Sequence, residues 1–166
     1  MKKIRVYGDR ALRCPAKEIT KIDGRLHALI REMKETIEQA GGLGLAAPQV
    51  GSGKRLFIVR DTRRDRILTL INPRIIEESG TAIDMEGCLS FPGVYIAIER
   101  PSRVVVEAVN EHGKSFVWET AGIEARCVRH ESDHLDGVLI IDHASEEEKR
   151  MWHQRLEELR SRARKR

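Results

Sequence analysis

Apolar residues first recur at helical spacing between Asp23 and Ala40, where Leu26, Leu29, Ile30, Met33 and Ile37 form one stripe. Asp23 can cap the start of that helix, and Gly41-Gly42 stops it. The glycine-rich stretch "GGLGLAAPQVG" follows, and the period then changes. "RLFIVRD" and "RILTLIN" read as strands on either side of the polar turn Thr62 to Asp65. "DMEGCLSFPG" carries no regular period and reads as irregular. "VYIAIER" and "RVVVEAV" alternate or run apolar and β-branched, so they read as strands. "NEHG" turns the chain into "KSFVWET", a hairpin with Gly113 at its positive-φ position. A second helix is expected from near Thr120 to a C-cap at Gly137. A third is expected from Ser145, where Ser145 and Glu148 fit a capping box and Trp152, Leu156 and Leu159 supply a short stripe.

These elements predict an α+β fold: mostly antiparallel sheets around a central helix, with an N-terminal and a C-terminal helix. Short turns rather than helical crossovers join the strands, which favours antiparallel pairing. A length of 166 residues predicts one domain. Apolar content of 40% and charged content of 34% suit a soluble globular chain. No apolar run approaches the ~20 residues that span a bilayer, and the opening "MKKIRVYGD" has no apolar segment behind its lysines, so neither a membrane association nor a signal peptide is expected. Cys14, Cys88 and Cys127 are odd in number and show no paired spacing, which points to reduced thiols and a cytoplasmic location.

Charge changes the picture at one end. From Lys149 to Arg166 eight cations face only Glu157 and Glu158, a net +6; the chain's total of +4 then leaves the remainder at −2. The basic character belongs to the tail, and the rest is not a sequence-specific reader of nucleic acid on charge grounds.

The candidate chemistry lies in "RCVRHESDHLDG", residues 126–137. Positions i and i+4 share a helix face, so His130 and His134 can reach one metal ion. Glu131 can project toward the same ion's open position and take a proton from water without being a ligand. The third ligand is open on residue type alone. Ile140 stands where one extended pattern of this kind needs a histidine, and His143 comes three residues late. Glu157 and Glu158 are at a workable distance in sequence but sit in the basic tail. Cys88, in "EGCLS", is the upstream option.

Three segments together resemble the peptide deformylases: Gly42-x-Gly44-Leu45-Ala46-Ala47-Pro48-Gln49, then Glu86-Gly87-Cys88-Leu89-Ser90, then His130-Glu131-x-x-His134. Order and spacing follow the family, and the likeness also takes in "IRVYGDRALR", "INPRII" and "HLDGVLIID", so it spans residues 1 to about 150. The resemblance implies an enzyme that hydrolyses the N-formyl group from the formylmethionine of nascent polypeptides and releases formate. It implies Cys88, His130 and His134 as ligands of one divalent metal, Fe(II) in the cell with zinc, nickel or cobalt as substitutes. It implies Glu131 as general acid/base, and Gln49 with the backbone N–H of Leu89 as oxyanion donors. Thiolate and two imidazoles leave a fourth position open for water, as in a catalytic site. Gly42, Leu43 and Gly44 are expected to meet the substrate's backbone, the glycines allowing close approach. Ile123, Arg126 and Cys127, one or two turns before His130, are placed to line the methionine pocket, with Arg126 either its polar rim or an ordinary surface arginine.

Residues 1–148 are then the catalytic domain, and 149–166 a basic C-terminal helix of the same domain. Two positions depart from the family: Arg129 stands where glutamine is common, and Arg10 where proline is. Arg129 is expected to point away from the metal. The tail is expected to dock on the ribosome's polyanionic surface. The competing readings are an HExxH metallopeptidase and a non-catalytic ribosome-binding module.

Overall fold

The long helix forms where the stripe placed it. In the computed structural model, which describes residues 2–164, α1 runs Gly24–Ala40 and buries Leu26, Ile30, Met33 and Ile37. The Asp23 carboxylate accepts the N–H of Leu26 at 3.0 Å, and Gly41 ends the helix at φ +65°.

Seven strands follow: β1 (Gly44–Ala46), β2 (Leu56–Asp61), β3 (Arg66–Ser79), β4 (Ala82–Gly87), β5 (Tyr95–Arg100), β6 (Arg103–Val109) and β7 (Ser115–Ala121). Five build an antiparallel sheet in the order β1-β2-β3-β6-β7, and β4 pairs with β5 in a separate two-stranded sheet. Strand β3 overruns its expected end at Asn72. The Asn-Pro pair reads as a terminus, yet the ladder to β6 resumes after a register shift between Ile71 and Arg74, with Asn72 at φ +49°. The Asn72 amide is fastened to both the N–H and the carbonyl of Ile19.

Strand β4 corrects the reading of "DMEG" as irregular. Ile83 and Met85 are 70% and 56% exposed, whereas Glu86 is 4% exposed. Its apolar residues face out and its carboxylate faces in, so no inward apolar alternation marks it as a strand. The irregular backbone starts only at Cys88.

Helix α2 spans Ile123–Leu135, three residues later than expected because Thr120 still pairs with Val104 in the sheet. It packs on β1, β2 and β7, burying Ala125, Cys127, Val128 and Leu135 among Phe57, Val59 and Trp118. Asp136 caps it, and Gly137 follows at φ +75°. The third helix divides at Trp152 into α3 (Glu146–Met151) and α4 (His153–Arg164). Ser145 and Glu148 form the expected capping box. Leu156 and Leu159 are buried against Val6, Tyr7, Leu12 and Phe91, so the stripe of the C-terminal helix packs on the chain itself. Lys165 and Arg166 of the basic tail lie outside the described residues.

Candidate metal centre and its cavity

Three chain segments converge on one cavity of about 420 Å³. The first leaves α1 through Gly41 and enters β1, the edge strand of the five-stranded sheet, so Gly44 pairs with Val59 on one side only. A tight turn over Ala47–Val50 then folds Gln49 back, 1% exposed. The N–H of Ala46 donates to Gln49 Oε1 at 2.8 Å, which fixes the amide's orientation. The opposite end, Nε2, donates to Ser90 Oγ at 3.2 Å and lies 3.5 Å from Cys88 Sγ.

The second segment is β4 and the turn after it. Cys88 is half-buried, and its carbonyl accepts the N–H of Phe91 at 2.8 Å. The N–H of Leu89 donates to no protein acceptor among the described residues. The third segment is α2, where the rings of His130 and His134 lie 5.0 Å apart at 76°. One ligand atom from each of Cys88, His130 and His134 lies within 4.8 Å of the others, and no other trio of His, Cys, Asp or Glu is gathered this way among the described residues. Cys88 Sγ is 3.3 Å from His134 Nε2. A soft thiolate and two imidazoles are a donor set for zinc or ferrous iron. Two buried atoms beside them, Glu131 Oε2 and His134 Nδ1, have no hydrogen-bond partner within the protein. The residues present fit a metal ion.

The alternative third ligands lie elsewhere. His143 Nε2 bonds Asp133 at 2.8 Å, and Glu157 and Glu158 pair with Arg160 and Arg155 on the surface of α4.

Beneath the ligands runs a buried ionic network that the residue pattern did not announce. Glu86 accepts the Nδ1–H of His130 at 2.9 Å, Nε of Arg100 at 2.9 Å and Nη1 of Arg126 at 2.9 Å. Arg100 also donates to Asp133 at 2.7 Å. Burial would raise the Glu86 pKa; hydrogen bonds and charge from His130 and Arg100 outweigh it and hold the carboxyl at about 2. Arg100 was legible in one respect: it closes the alternation of "YIAIER" at the inward position after Ile96 and Ile98.

Glu131 is 3% exposed, and its burial pushes the carboxyl up to about 7, against the pull of the His130 charge. Burial likewise keeps the thiol of Cys127 well above its ordinary value, so Cys127 offers a neutral wall. Arg126 is neither a polar rim nor a surface arginine. Its guanidinium is bound to Glu86 and to the carbonyls of Ile98 and Ala82.

Gly42, Leu43, Gly44, Ile123, Arg126 and Cys127 all line the cavity. Gly44 has a reason of its own to be glycine: a Cβ there meets Cys127 Sγ and Glu131 Oε1, both at 2.5 Å. Arg129 points away from the ligands, to Glu78 at 3.2 Å. Sequence reasoning missed the opposite wall, which is built by Met85 and by residues 91–95.

Comparison with known proteins gives one family. The polypeptide deformylase family model matches residues 1–150. The peptide deformylase of Dictyoglomus thermophilum is 46% identical over 147 residues, covering 89% of this chain and 95% of the relative. Peptide deformylase 1 of Clostridium acetobutylicum is 47% identical over 148 residues, covering 89% and 97%. Among solved structures, the peptide deformylase of Thermus thermophilus superposes with a TM-score of 0.92 at 36% identity, covering 98% of this chain and 99% of that one. That of Synechococcus elongatus in complex with actinonin gives 0.86 at 41%, covering 92% and 86%.

Proposed function

The chain belongs to the peptide deformylase family, whose enzymes remove the N-formyl group from nascent peptides, and we propose that its cavity performs that hydrolysis with Cys88, His130 and His134 holding the metal. The observation that carries this reading is that Gly42–Gln49, Glu86–Leu89 and His130–Glu131 meet at one cavity, with His134 grouped with Cys88 and His130 beside it. The metal is Fe(II), with zinc, nickel or cobalt able to replace it. When bound, it supplies a Lewis acid that makes water a nucleophile near neutral pH.

Each protein group then has a task suited to its surroundings. Glu131 takes the proton of the attacking water and returns it to the amine that leaves as the C–N bond breaks. A carboxyl held near 7 suits both transfers. The Gln49 amide and the Leu89 N–H donate to the oxygen that gains charge at the formyl carbon, an effect of roughly 2.7–4 kcal/mol per donor. The products are formate and a free amino terminus. The substrate's extended backbone pairs with the open edge of β1, its first side chain resting on Cys127 and Ile123.

The reaction takes place in the cytoplasm, which the three free cysteines favour. The exposed Arg150, Arg162 and Arg164 of the basic helix dock the enzyme on ribosomal RNA.

Formate release from a formyl-Met peptide by anaerobically purified protein tests the reading. Formate is expected from that peptide, with no cleavage of its unformylated counterpart; cleavage of the unformylated peptide would establish the peptidase alternative. Glu131→Gln should keep the metal and lose activity by ~10² or more. Cys88→Ala should lose the metal, since two imidazoles alone seldom hold it in a catalytic geometry.

A further inference from the structure

Residues 91–95 wall the cavity directly after Cys88, yet Phe91 to Val94 belong to no strand or helix. Their own backbone gives them little support. Phe91 donates to the Cys88 carbonyl at 2.8 Å and Val94 to that of Phe91 at 3.0 Å, while Pro92 has no N–H and Gly93 stands at φ +81°.

The missing support comes from the other end of the chain. Arg155 donates Nε and Nη2 to the Pro92 carbonyl at 3.0 and 2.9 Å. Trp152 Nε1 donates to the Tyr95 carbonyl at 2.9 Å, and Glu148 accepts the N–H of Ala97 at 3.0 Å. Glu148, Trp152 and Arg155 follow at spacings of four and three, so a single ridge along α3 and α4 holds two backbone atoms of this wall and one of β5 just beyond it. Leu156 and Leu159 share a core with Phe91 and Val94. Arg160 donates to the Tyr7 hydroxyl at 2.7 Å and lies 5.0 Å over its ring, and Tyr7 stacks on Phe91 at 4.8 Å.

We infer that the C-terminal helix is a positioning element of the substrate cavity, with Arg155 as the residue that fixes the Pro92–Gly93 wall. The inference rests on the cavity taking the formylated peptide as proposed above. A guanidinium fork on a carbonyl is charge-assisted, and Nη1 of Arg155 is held by Glu158 at 2.8 Å, so the fork is set before substrate arrives. A wall already ordered need not be ordered by the peptide, which favours binding rather than the chemical step. Arg155 touches no metal ligand, so its contribution belongs in KM.

The test compares the full-length, metal-loaded chain with Arg155→Leu, Arg155→Lys and, as a control on the β2–β3 turn, Arg63→Leu. Arg155→Leu should raise KM for a formyl-Met tripeptide roughly tenfold, the scale of one charge-assisted hydrogen bond. It should leave kcat and metal content near wild type. Amide exchange across 94–97 should quicken while that of α2 stays the same. Arg155→Lys should recover part of both changes, and Arg63→Leu should show neither. Unchanged exchange at the wall, an unchanged KM, or a fall in kcat that tracks a fall in metal content each overturns the inference. If the wild-type chain releases no formate, the deformylase reading has failed on its own account, and exchange at 94–97 still decides whether Arg155 holds the wall.

Discussion

Glu86 accepts the Nδ1–H of His130 at 2.9 Å, which sets the tautomer of that ring and leaves its other nitrogen for the cavity. The same carboxylate pairs with the guanidinium groups of Arg100 and Arg126, both buried, Arg100 sharing Asp133 as well. Glu86→Gln should lower metal affinity ~10–100-fold, read by competition with a chromophoric chelator on folded protein. Glu86→Ala leaves two buried cations short of their partner and should cost about 3–5 kcal/mol in denaturant unfolding. Wild-type metal affinity in Glu86→Gln would mean that His130 is oriented by packing alone.

Gly44→Ala should impair catalysis through sterics. The new Cβ falls 2.5 Å from both Cys127 Sγ and Glu131 Oε1, in a site where neither side chain is exposed. Overpacking of this kind costs about 1–3 kcal/mol in stability. A displacement of the Glu131 carboxylate by ~1 Å should lower kcat on the order of 10²-fold. Adding Cys127→Ala removes one of the two clashes and should return part of the stability. Equal kcat in Gly44→Ala and wild type would contradict the placing of Glu131 as the acid/base.

Much of this arrangement was legible in the sequence because it rests on local pattern. Asp23, the Leu26 to Ile37 stripe and Gly41 state their helix outright. The i, i+4 histidines needed only a helix to share a face. What stayed hidden depends on partners distant in the chain. Strand β4 is inverted because Glu86 serves His130, Arg100 and Arg126, forty-four, fourteen and forty positions away. Arg126 reads as a pocket rim or a surface arginine until those partners are known. The wall at 91–95 has no periodicity, and its order is borrowed from Trp152 and Arg155. The family resemblance supplied the third ligand, which residue types alone left open between Cys88 and two glutamates.

Acid should weaken the fold through Glu124. Its carboxylate is 3% exposed and accepts from the Thr62 N–H at 2.7 Å, the Thr62 hydroxyl at 2.6 Å and the Thr120 hydroxyl at 2.6 Å. Burial pushes its pKa up, but the bonds from Thr120 and Thr62 prevail and hold it below the usual 4.5. A depressed carboxylate pKa stabilises fully above the unfolded value, and the contribution is lost as pH falls through the folded one. Glu124→Gln should therefore cost roughly 2 kcal/mol at pH 7, with the gap to wild type narrowing as pH drops below 4.5. Urea melts of both proteins at a series of pH values measure it. A gap that stays constant into strong acid would show that the threonines do not favour the charged form.

The basic helix yields the last prediction, and the structure sharpens where to cut. From Arg155 onward its cations divide into two groups. Arg155 and Arg160 are engaged on the protein, with the Pro92 carbonyl and with Tyr7. Arg162 and Arg164 are exposed, and Lys165 and Arg166 follow them in the sequence. Ending the chain after Ser161 removes four cations and keeps Leu156, Leu159 and Arg160 in place. Formate release from short peptides should be unchanged, because the residues that hold the wall remain. Binding to ribosomes should weaken at low salt. The slope of log K against log salt should shallow by ~0.7–0.9 for each phosphate that the shortened tail no longer neutralises. Sedimentation with ribosomes across a salt series gives both quantities. Equal affinity and slope for the truncated and full-length chains would leave these cations as a solvated surface and remove the docking role from the helix.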